Sequence, residues 1–421
     1  MHIFKFGGAS VKDANGVKNL VAVLQNIGYH DTLIVVSAMG KTTNALELVV
    51  KNYFENKPDV NTALNTVINY HNEIVSELFI KFNLNTKTHP VFNKVASLFN
   101  ALSHFLDTNN NNDYSFVYDQ IIGYGELVST TIISEYLNYI EIANNWLDVR
   151  TLIKTDSYYR RANVNWQETQ HLISTKVNTT QLNITQGFLG SDANQFTTSL
   201  GREGSDYTAA IFAYCFNAKS LTIWKDVPGI LNADPRYFEN ATLLNKISYS
   251  EAIELAFYGA SVIHPKTLQP LQQKEIPLYV KSFLNPNSSG TRIGKNETLN
   301  PVMPCFIVKN NQVLIALSSL DFSYIVEENI STIFSLLHQY KMKVNVIQNS
   351  AISFSVCIDD IYNNLDDLLH QLKPTFKVNY TKNVSLYTIR HYTQNAIEQI
   401  ETNKMVLLKQ LTQQTVQIVT K

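Results

Sequence analysis

The segment HIFKFG, residues 2–7, is a mostly apolar stretch that ends in a glycine turn, and it predicts a strand. Residues 12–27 follow with apolar side chains at helical spacing. Residues 32–38, TLIVVSA, are a nearly continuous apolar run, which is typical of a strand buried on both faces. A strand, a helix and a buried strand in this order predict an α/β fold with a parallel-rich sheet between helix layers.

Further helices and strands continue this pattern. In chain order they are helix 59–82, a long helical segment through Ile121 to Ile132, strand 181–188, helix 205–216, strand 220–225, helix 248–258 and strand 277–283. His71 lies on the apolar stripe of helix 59–82. No other metal-binding residue type shares that face, so a packed core histidine is favoured over a metal ligand.

The composition argues against several classes of protein. The 34 basic and 35 acidic side chains give a net charge of -1, so neither nucleic acid nor an anionic membrane surface is an expected partner. The start, MHIFKF, lacks the pattern of a signal peptide, and no apolar run reaches the roughly 18 residues of a spanning helix. Cys215, Cys305 and Cys357 fit no metal or disulfide spacing, which favours a reducing cytoplasm.

Glycine is distributed unevenly along the chain. None of the 15 glycines lies beyond position 294, and residues 285–304 form a polar, proline-containing segment that predicts a linker. We therefore expect a ligand-handling domain at 1–298 and a different region at 299–421. The predicted elements of this region are, in order, strand 312–318, helix 327–340, strands 343–348 and 351–358, helix 364–372, strand 384–390, helix 393–401, and strands 404–409 and 415–420. The order indicates a ferredoxin-like α+β unit followed by a shortened second one.

Glycine-rich, charged segments follow several of the predicted strands. KFGGAS (Lys5 to Ser10) places a lysine on a strand and two glycines in the turn before a helix, a pattern that suits phosphate binding but is weak evidence alone. Similar segments are GFLGS with TTSLGREGSD, then KDVPGILNADPR, and GASVIHPKTL. Because the carboxyl ends of strands form the ligand crevice of open α/β sheets, these segments predict one shared site.

Together these segments resemble the aspartate kinases of the amino-acid kinase family. KFGGAS, SAMGKTTNAL, GELVST, TTSLGREGSDYTAA, KDVPGILNADPR, GASVIHPKTL and PLYVKSF stand in the order expected of that family. VNVIQNSAISFSV is similar to the family's paired ACT domains, so the resemblance covers nearly the whole chain. It implies phosphoryl transfer from Mg²⁺-ATP to the β-carboxylate of L-aspartate, giving 4-phospho-L-aspartate for lysine, threonine and methionine synthesis. Separately, the alternating apolar strands of the C-terminal region could pair edge to edge with a second copy, which predicts a homodimer formed through this region.

The resemblance assigns roles to individual residues. Lys5 would neutralise the transferring phosphoryl group, and Asp206 would organise the charged centre. Those that would bind aspartate are Ser37, Thr43, Glu126, Thr197 and Thr198, with Glu126 facing the α-amino group. Those that would bind ATP are Gly7, Gly8, Lys225, Asp226, Leu231, Arg236, Ser261 and Lys266.

The chain departs from the family pattern at four of its positions. They are Ala9 for threonine, Phe196 for a substrate-binding arginine, Leu231 for a tyrosine beside the adenine, and Ser261 for a lysine near the phosphates. Lys266, five positions after Ser261, either replaces that lysine or is a solvated residue at a helix start.

The implied reaction needs no general base, because a carboxylate acceptor is already ionised at neutral pH. His264 is therefore favoured as a turn residue over an acid-base group, and Asp234 as a turn cap over a metal ligand. Two alternatives stay open: a family member that phosphorylates glutamate or carbamate, and a catalytically silent subunit that binds amino acids. The helical segment 59–108 and the ACT-like tail disfavour the first. Retention of Lys5, Glu126 and Asp206 disfavours the second.

Overall fold

The computed structural model describes residues 1–55, 59–79, 89–260, 263–321 and 323–421. The chain divides into two compact units. The first comprises Met1–Ile230, Leu243–Ile253 and Val262–Thr298, and the second comprises Leu231–Thr242, Glu254–Ser261 and Leu299–Lys421.

The first unit is built on a parallel-rich sheet. The strands of this unit are β1 (His2–Phe6), β2 (Thr32–Val36), β3 (Asn144–Leu147), β4 (Leu182–Gln186), β5 (Leu189–Ser191), β6 (Thr197–Ser199), β7 (Ser220–Lys225), β8 (Lys246–Ser248), β9 (Leu278–Ser282) and β10 (Thr291–Gly294). Among the described residues β5 and β6 form an antiparallel pair, and the other eight make one sheet in the order β3-β4-β2-β1-β7-β9-β10-β8. All neighbours in that sheet are parallel except β9 and β10.

Helices surround this sheet. Those that begin before residue 280 are α1 (Ala14–Ile27), α2 (Thr42–Phe54), α3 (Val60–Leu78), α4 (Pro90–Thr108), α5 (Tyr114–Tyr139), α6 (Trp166–Lys176), α7 (Gly204–Phe216), α8 (Tyr249–Tyr258) and α9 (Pro265–Gln273). Short 3₁₀ helices lie at Gly8–Val11 and Val149–Thr151. Together with the sheet, these helices confirm the predicted α/β fold.

The alternation of side chains along β1 positions the functional residues. Phe4 and Phe6 belong to a core that includes residues of α1 through α5. Because successive side chains of a strand point to opposite faces, Ile3 and Lys5 point to the other face. Helix α7 packs against β1. Lys5 can therefore meet the first turn of α7, and the sheet has helices on both faces.

Helix α7 begins at a different residue from the one the sequence predicts. The sequence predicts helix 205–216, but Glu203 is the cap, in a left-handed conformation with φ of 54°, and the helix starts at Gly204. A Cβ atom on Gly204 would lie 2.6 Å from the Phe188 ring, so only glycine lets the helix start this close to the loop after β4. Ser205 and Asp206 consequently lie inside the first turn.

The predicted linker at 285–304 is wrong in part, because β10 lies within it and extends the sheet. Thr291 fixes this short strand: its buried hydroxyl donates to the Leu244 carbonyl and accepts from the Ile230 N–H. His71 is fully buried, and its Nδ1 lies 2.7 Å from the Val67 carbonyl oxygen. Burial lowers the pKa of His71 to about 4, as suits a core histidine.

The second unit is an antiparallel sheet covered by helices. Its elements are β11 (Cys305–Ser319), α10 (Glu327–Gln339), β12 (Lys343–Asn349), β13 (Ser353–Asp359), α11 (Leu365–Leu372), β14 (Phe376–Arg390), α12 (Gln394–Glu401), β15 (Val406–Leu411) and β16 (Thr415–Thr420). In the described part of this unit the strand order is β12-β13-β11-β14-β16-β15. Helices α10 and α11 share one apolar core with β11 and β13, and α12 shares another with β14 and β16.

The two long strands β11 and β14 make this sheet continuous. They pair from Cys305 opposite Arg390 to Ser319 opposite Phe376, with irregularities on either side of Gln312. The sequence predicted only 312–318 and 384–390, because these irregularities break the alternation of apolar and polar residues. The second ferredoxin-like half therefore uses the start of β11 as well as residues after 384. Across the described residues, no helix is both long and apolar enough to cross a bilayer.

Gly187, directly after β4, generates the first testable prediction. A Cβ atom there would lie 2.6 Å from the Ser205 Cα. We expect Gly187→Ala to lower the free energy of unfolding by about 1–3 kcal/mol through overpacking. Gly294→Ala is the control, since its Cβ would meet nothing nearer than 3.4 Å. Urea unfolding of both variants checks this, and equal stability would show that α7 tolerates displacement.

Candidate active site

The carboxyl ends of β1, β2, β4 and β7 converge on a cavity of about 500 Å³ within the first unit. The loops after these strands line it, together with the first turn of α7 and two side chains of α5, Tyr118 and Glu126. Backbone N–H groups at a helix N-terminus and in glycine turns favour anions. The cavity therefore has the backbone features of a phosphate site.

An ion pair lies in the wall of this cavity. Lys5 Nζ is 2.7 Å from Asp206 Oδ1, and the two side chains are only 11% and 5% exposed. Lys5 reaches Asp206 because β1 directs it toward the first turn of α7. Two charges with so little access to water lose most of their hydration, and their attraction at short range offsets that cost.

Glycines bring the loops after β1 and β2 together. The Gly40 N–H donates to the Gly8 carbonyl at 3.0 Å. A Cβ atom on Gly8 would lie 2.7 Å from the Ala38 carbonyl oxygen, and one on Gly7 would lie 3.3 Å from Lys5 Nζ. Any side chain at Gly8 would separate the two loops, so glycine is required there for the close approach.

Glu126 is the second acidic group of the cavity. The Ser205 hydroxyl donates to Glu126 Oε1 at 2.8 Å, while Oε2 is buried and forms no well-aligned hydrogen bond, although the Ala38 and Gly187 amides lie close to the carboxylate. Burial raises the pKa of Glu126 to about 7, although the Ser205 hydroxyl, the Lys5 charge and the Ala38 and Gly187 amides act in the opposite direction. A buried carboxylate with one unpaired oxygen can accept a cationic or hydrogen-bonding ligand.

The predicted aspartate-binding residues fall into two groups. Ser37, Thr43 and Glu126 line the cavity. Thr197 and Thr198 are buried and are not among its lining residues. The Thr197 hydroxyl lies 3.3 Å from the Arg150 guanidinium, and the Thr198 hydroxyl lies 2.7 Å from that of Thr155. The role of the two threonines stays a prediction.

The predicted nucleotide-binding residues are more dispersed. Gly8 and Lys225 line the cavity, while Asp226 is exposed and does not. Leu231 and Arg236 belong to the second unit, where Arg236 forms an ion pair with Asp234 at 2.5 Å. Asp234 also accepts from the Arg236 N–H, as expected of a turn cap.

The segment around His264 gives one clear result. His264 Nδ1 accepts from the Lys266 N–H at 3.2 Å and caps α9, as expected of a turn residue. Lys266 lies in the first turn of α9 and is not among the residues that line the cavity. Ser261 lies outside the described residues. The nucleotide roles of Lys266 and Ser261 stay predictions.

Sequence reasoning missed several residues of the cavity. They are Tyr118, Arg160, Phe188, Arg202 and Glu203. Arg202 and Glu203 belong to a quoted motif, and their charge within a glycine-rich segment could have identified them. Arg160 and Tyr118 lie in no such motif and reach the site only through tertiary structure.

No group of three or more histidine, cysteine, aspartate or glutamate side chains forms a metal cluster in the part of the chain that the structure describes. Two acidic side chains of the cavity, Glu203 and Asp206, nevertheless lie at the start of α7. Glu203 Oε2 is buried without a hydrogen-bond partner. This donor set suits a magnesium ion that is held mainly by phosphate oxygens and water and contacts one or two carboxylates.

Comparison with known proteins identifies the family. The model of the amino acid kinase family matches residues 1–282, and the chain belongs to that family. Lysine-sensitive aspartokinase 3 of Escherichia coli (strain K12) is 34% identical over 238 residues, which are 56% of this chain and 53% of that protein. The chain thus spans about half the length of this curated relative.

Solved structures extend the likeness to both units. Aspartokinase III of E. coli in complex with lysine and aspartate matches with a TM-score of 0.82 and 26% identity, over 100% of this chain and 95% of that one. The same protein in complex with aspartate and ADP matches with a TM-score of 0.77 and 25% identity, over 100% and 96%. These matches confirm the predicted order of a kinase-type α/β unit followed by an α+β unit.

Glu126 provides a prediction that needs no substrate. Because its folded pKa of about 7 lies above the ordinary value of 4.5, the folded protein binds the proton more tightly than the unfolded chain. Stability contributed by this group therefore falls as pH rises from 4.5 to 7. We expect wild type to lose about 3 kcal/mol of unfolding free energy across this range relative to Glu126→Gln. Parallel pH profiles from denaturant titrations of the two proteins would contradict this.

Proposed function

We propose that the chain is an aspartate kinase, ATP:L-aspartate 4-phosphotransferase, which transfers the γ-phosphoryl group of Mg²⁺-ATP to the β-carboxylate of L-aspartate. The observation that carries this proposal is the buried Lys5–Asp206 pair beside Glu126, in a cavity lined by glycine turns and a helix N-terminus. The likeness to a protein solved with aspartate and ADP supports the choice of substrates.

The main barrier to this reaction is the repulsion between two anions. The acceptor carboxylate is already ionised at neutral pH, so the site needs fixed positive charge and alignment and no general base. Lys5 supplies a positive charge whose position Asp206 fixes at 2.7 Å. The first turn of α7 and the Gly8 turn add backbone N–H groups. Fixed donors of this kind stabilise developing charge without reorganisation during the reaction.

Glu126 would orient the amino acid through its α-ammonium group. Its Oε2 is buried in the cavity wall and forms no well-aligned hydrogen bond, so a cationic donor gains from pairing with it. A bound ammonium lowers the pKa of a carboxyl group, so substrate binding would keep Glu126 ionised at neutral pH. Ser37 and Thr43 offer hydroxyl groups to the same ligand.

The nucleotide would approach from the side of β1 and β7. Gly7, Gly8 and Lys225 would contact its phosphates, and we retain Asp226, Leu231, Arg236 and Lys266 as proposed contacts. Magnesium would neutralise charge on the β- and γ-phosphates. Glu203 and Asp206 are the carboxylates of the cavity that would hold it, directly or through water.

For the domain organisation of the chain we propose a catalytic domain at 1–298 and a regulatory and dimerisation region at 299–421. The edge strands of the six-stranded sheet, β12 and β15, offer unpaired backbone groups that a second copy of the chain could pair with. We also propose a cytoplasmic location, where ATP and free aspartate are both available.

The proposed activity can be tested directly. Purified protein with Mg²⁺-ATP should form an acyl phosphate with L-aspartate, trapped as the hydroxamate by hydroxylamine, and much less with L-glutamate. The reason is the likeness to a protein solved with aspartate, together with the Glu126 carboxylate in the cavity wall. Turnover with neither amino acid would favour a silent amino-acid-binding subunit, and equal rates with both would contradict the specificity.

Lys5 provides the next prediction. Lys5→Met keeps the aliphatic stem and removes the charge, so kcat should fall by about 10²–10³ through loss of one preorganised contact. The variant also leaves Asp206 buried without its cation, so the assay should be run well below the melting temperature. Lys18→Met, an exposed change on α1, is the control and should behave like wild type. Near-normal turnover of Lys5→Met would assign Lys5 a structural role only.

A further inference from the structure

Four basic side chains line the cavity: Lys5, Arg160, Arg202 and Lys225. Lys5 is paired with Asp206. Arg160 differs because aromatic rings hold its guanidinium group. The guanidinium carbon lies 4.5 Å from the centre of the Tyr118 ring and 5.6 Å from that of Tyr114. Among the described residues no carboxylate forms an ion pair with Arg160, so its charge is available to a ligand.

The backbone of Arg160 is fixed as firmly as its guanidinium. Its φ is 68°, and its N–H donates to Asp119 Oδ2 at 2.8 Å. Asp119 is fully buried and also accepts from the N–H and hydroxyl of Ser199, at 2.8 and 2.6 Å. Tyr118, which stacks on the guanidinium, is held by a 2.8 Å hydrogen bond from its hydroxyl to Glu47. Backbone and ring therefore hold an exposed arginine at one place on the cavity wall.

Strand order separates Arg160 from the lysines that suit phosphate. Lys5 and Lys225 lie on the adjacent strands β1 and β7. Arg160 belongs to the loop that follows β3, at the other edge of the order β3-β4-β2-β1-β7. Three strand spacings separate β3 from β1, which is about 14 Å. The loops after β2 and β4 follow the strands between them. The long loop that carries Arg160 extends toward the segment before α7, where the Arg160 carbonyl oxygen lies 3.2 Å from the position of a Cβ atom on Gly201.

Helix α5 relates Arg160 to Glu126. Tyr118 and Glu126 both line the cavity, and they lie eight residues apart, or about 12 Å along the helix axis. Glu126 is the proposed site for the substrate ammonium, and the guanidinium stacks on Tyr118. An α-amino acid carries its ammonium and its α-carboxylate on one carbon. One amino acid spans only part of this separation, so the side chains of Glu126 and Arg160 must both extend toward it from the cavity wall that they line. In that arrangement the α-carboxylate faces Arg160 and the ligand side chain faces Lys5.

We propose that Arg160 binds the α-carboxylate of the amino-acid substrate and so selects α-amino acids over simple carboxylates. This inference rests on the proposed function. Two other residues, Phe196 and Arg150, are not placed to bind this α-carboxylate. Phe196 packs on Phe116, with ring centres 5.0 Å apart, and Arg150 is paired with Asp148 at 2.6 Å. Neither Phe196 nor Arg150 lines the cavity.

Two variants remove the guanidinium group. Arg160→Gln keeps a polar side chain, and Arg160→Gly suits the positive φ and keeps the N–H bond to Asp119, so this variant should fold. Both should raise KM for L-aspartate about 10- to 100-fold, as expected for loss of a charged hydrogen bond. We expect kcat to stay within about threefold and KM for ATP to be unchanged, because the contact is made equally in ground and transition states.

A substrate analogue separates recognition from a structural effect. L-Aspartic acid 1-amide keeps the ammonium and the acceptor carboxylate but lacks the α-carboxylate. With wild type, the KM for the 1-amide should exceed the KM for aspartate. The factor should be similar to the increase in KM for aspartate that the two variants cause. With Arg160→Gly the analogue and aspartate should differ by less than about threefold, because interacting partners are non-additive. Arg161→Gln, at an exposed neighbour outside the cavity lining, is the control and should behave like wild type.

The outcomes distinguish this inference from the proposed function. Absence of turnover by wild type contradicts the proposed function, and calorimetric titration of aspartate against its 1-amide then tests Arg160 by binding alone. Normal wild-type turnover with KM unchanged in both variants contradicts the role of Arg160 only. A fall in kcat without a change in KM would also contradict the role of Arg160. So would an Arg160→Gly variant in which the KM for the 1-amide still exceeds the KM for aspartate by the wild-type factor.

Discussion

Lys5 and Asp206 place opposite charges 2.7 Å apart with almost no access to water, and the rest of the site is arranged around them. Removing two ions from water is costly, and their attraction offsets that cost only when geometry is good. The geometry depends on α7 starting close to β1 and β4, which in turn depends on Gly187 and Gly204 lacking side chains. A parallel sheet then brings the loops after β2 and β4 to the same edge.

The electrostatics of the cavity match the transfer of a phosphoryl group between anions. Lys5 and Lys225 lie on β1 and β7, while Glu126 lies on α5 with a pKa near 7. Such a group is poorly solvated and is partly protonated at neutral pH before any ligand binds. A cationic ligand would displace the proton, and selectivity for an amino acid would then come from the desolvation that already raised the pKa.

The local pattern of apolar and polar residues was sufficient to predict strands that are continuous and buried. Strand β7 was predicted to its first and last residues, 220–225, and so was β16, 415–420. The same pattern was not sufficient for strands that form only because a neighbouring strand pairs with them. The sequence predicts a linker where β10 lies, because the four residues of β10 form a strand only beside β8 and β9. The first half of β11 was missed because irregular pairing near Gln312 divides it. Lys5, Glu126 and Asp206 were found through motifs, whereas Arg160 and Tyr118 are 42 residues apart and meet only through folding.

A crystal structure with L-aspartate, magnesium and a non-hydrolysable ATP analogue would show whether both substrates bind in the cavity around Lys5 and Asp206. We expect γ-phosphate oxygens about 3 Å from Lys5 Nζ, which is ordinary hydrogen-bonding distance. We also expect the aspartate ammonium at Glu126, with the β-carboxylate facing the phosphate. Nucleotide and aspartate bound elsewhere, with the cavity around Lys5 and Asp206 filled only by water, would contradict this expectation.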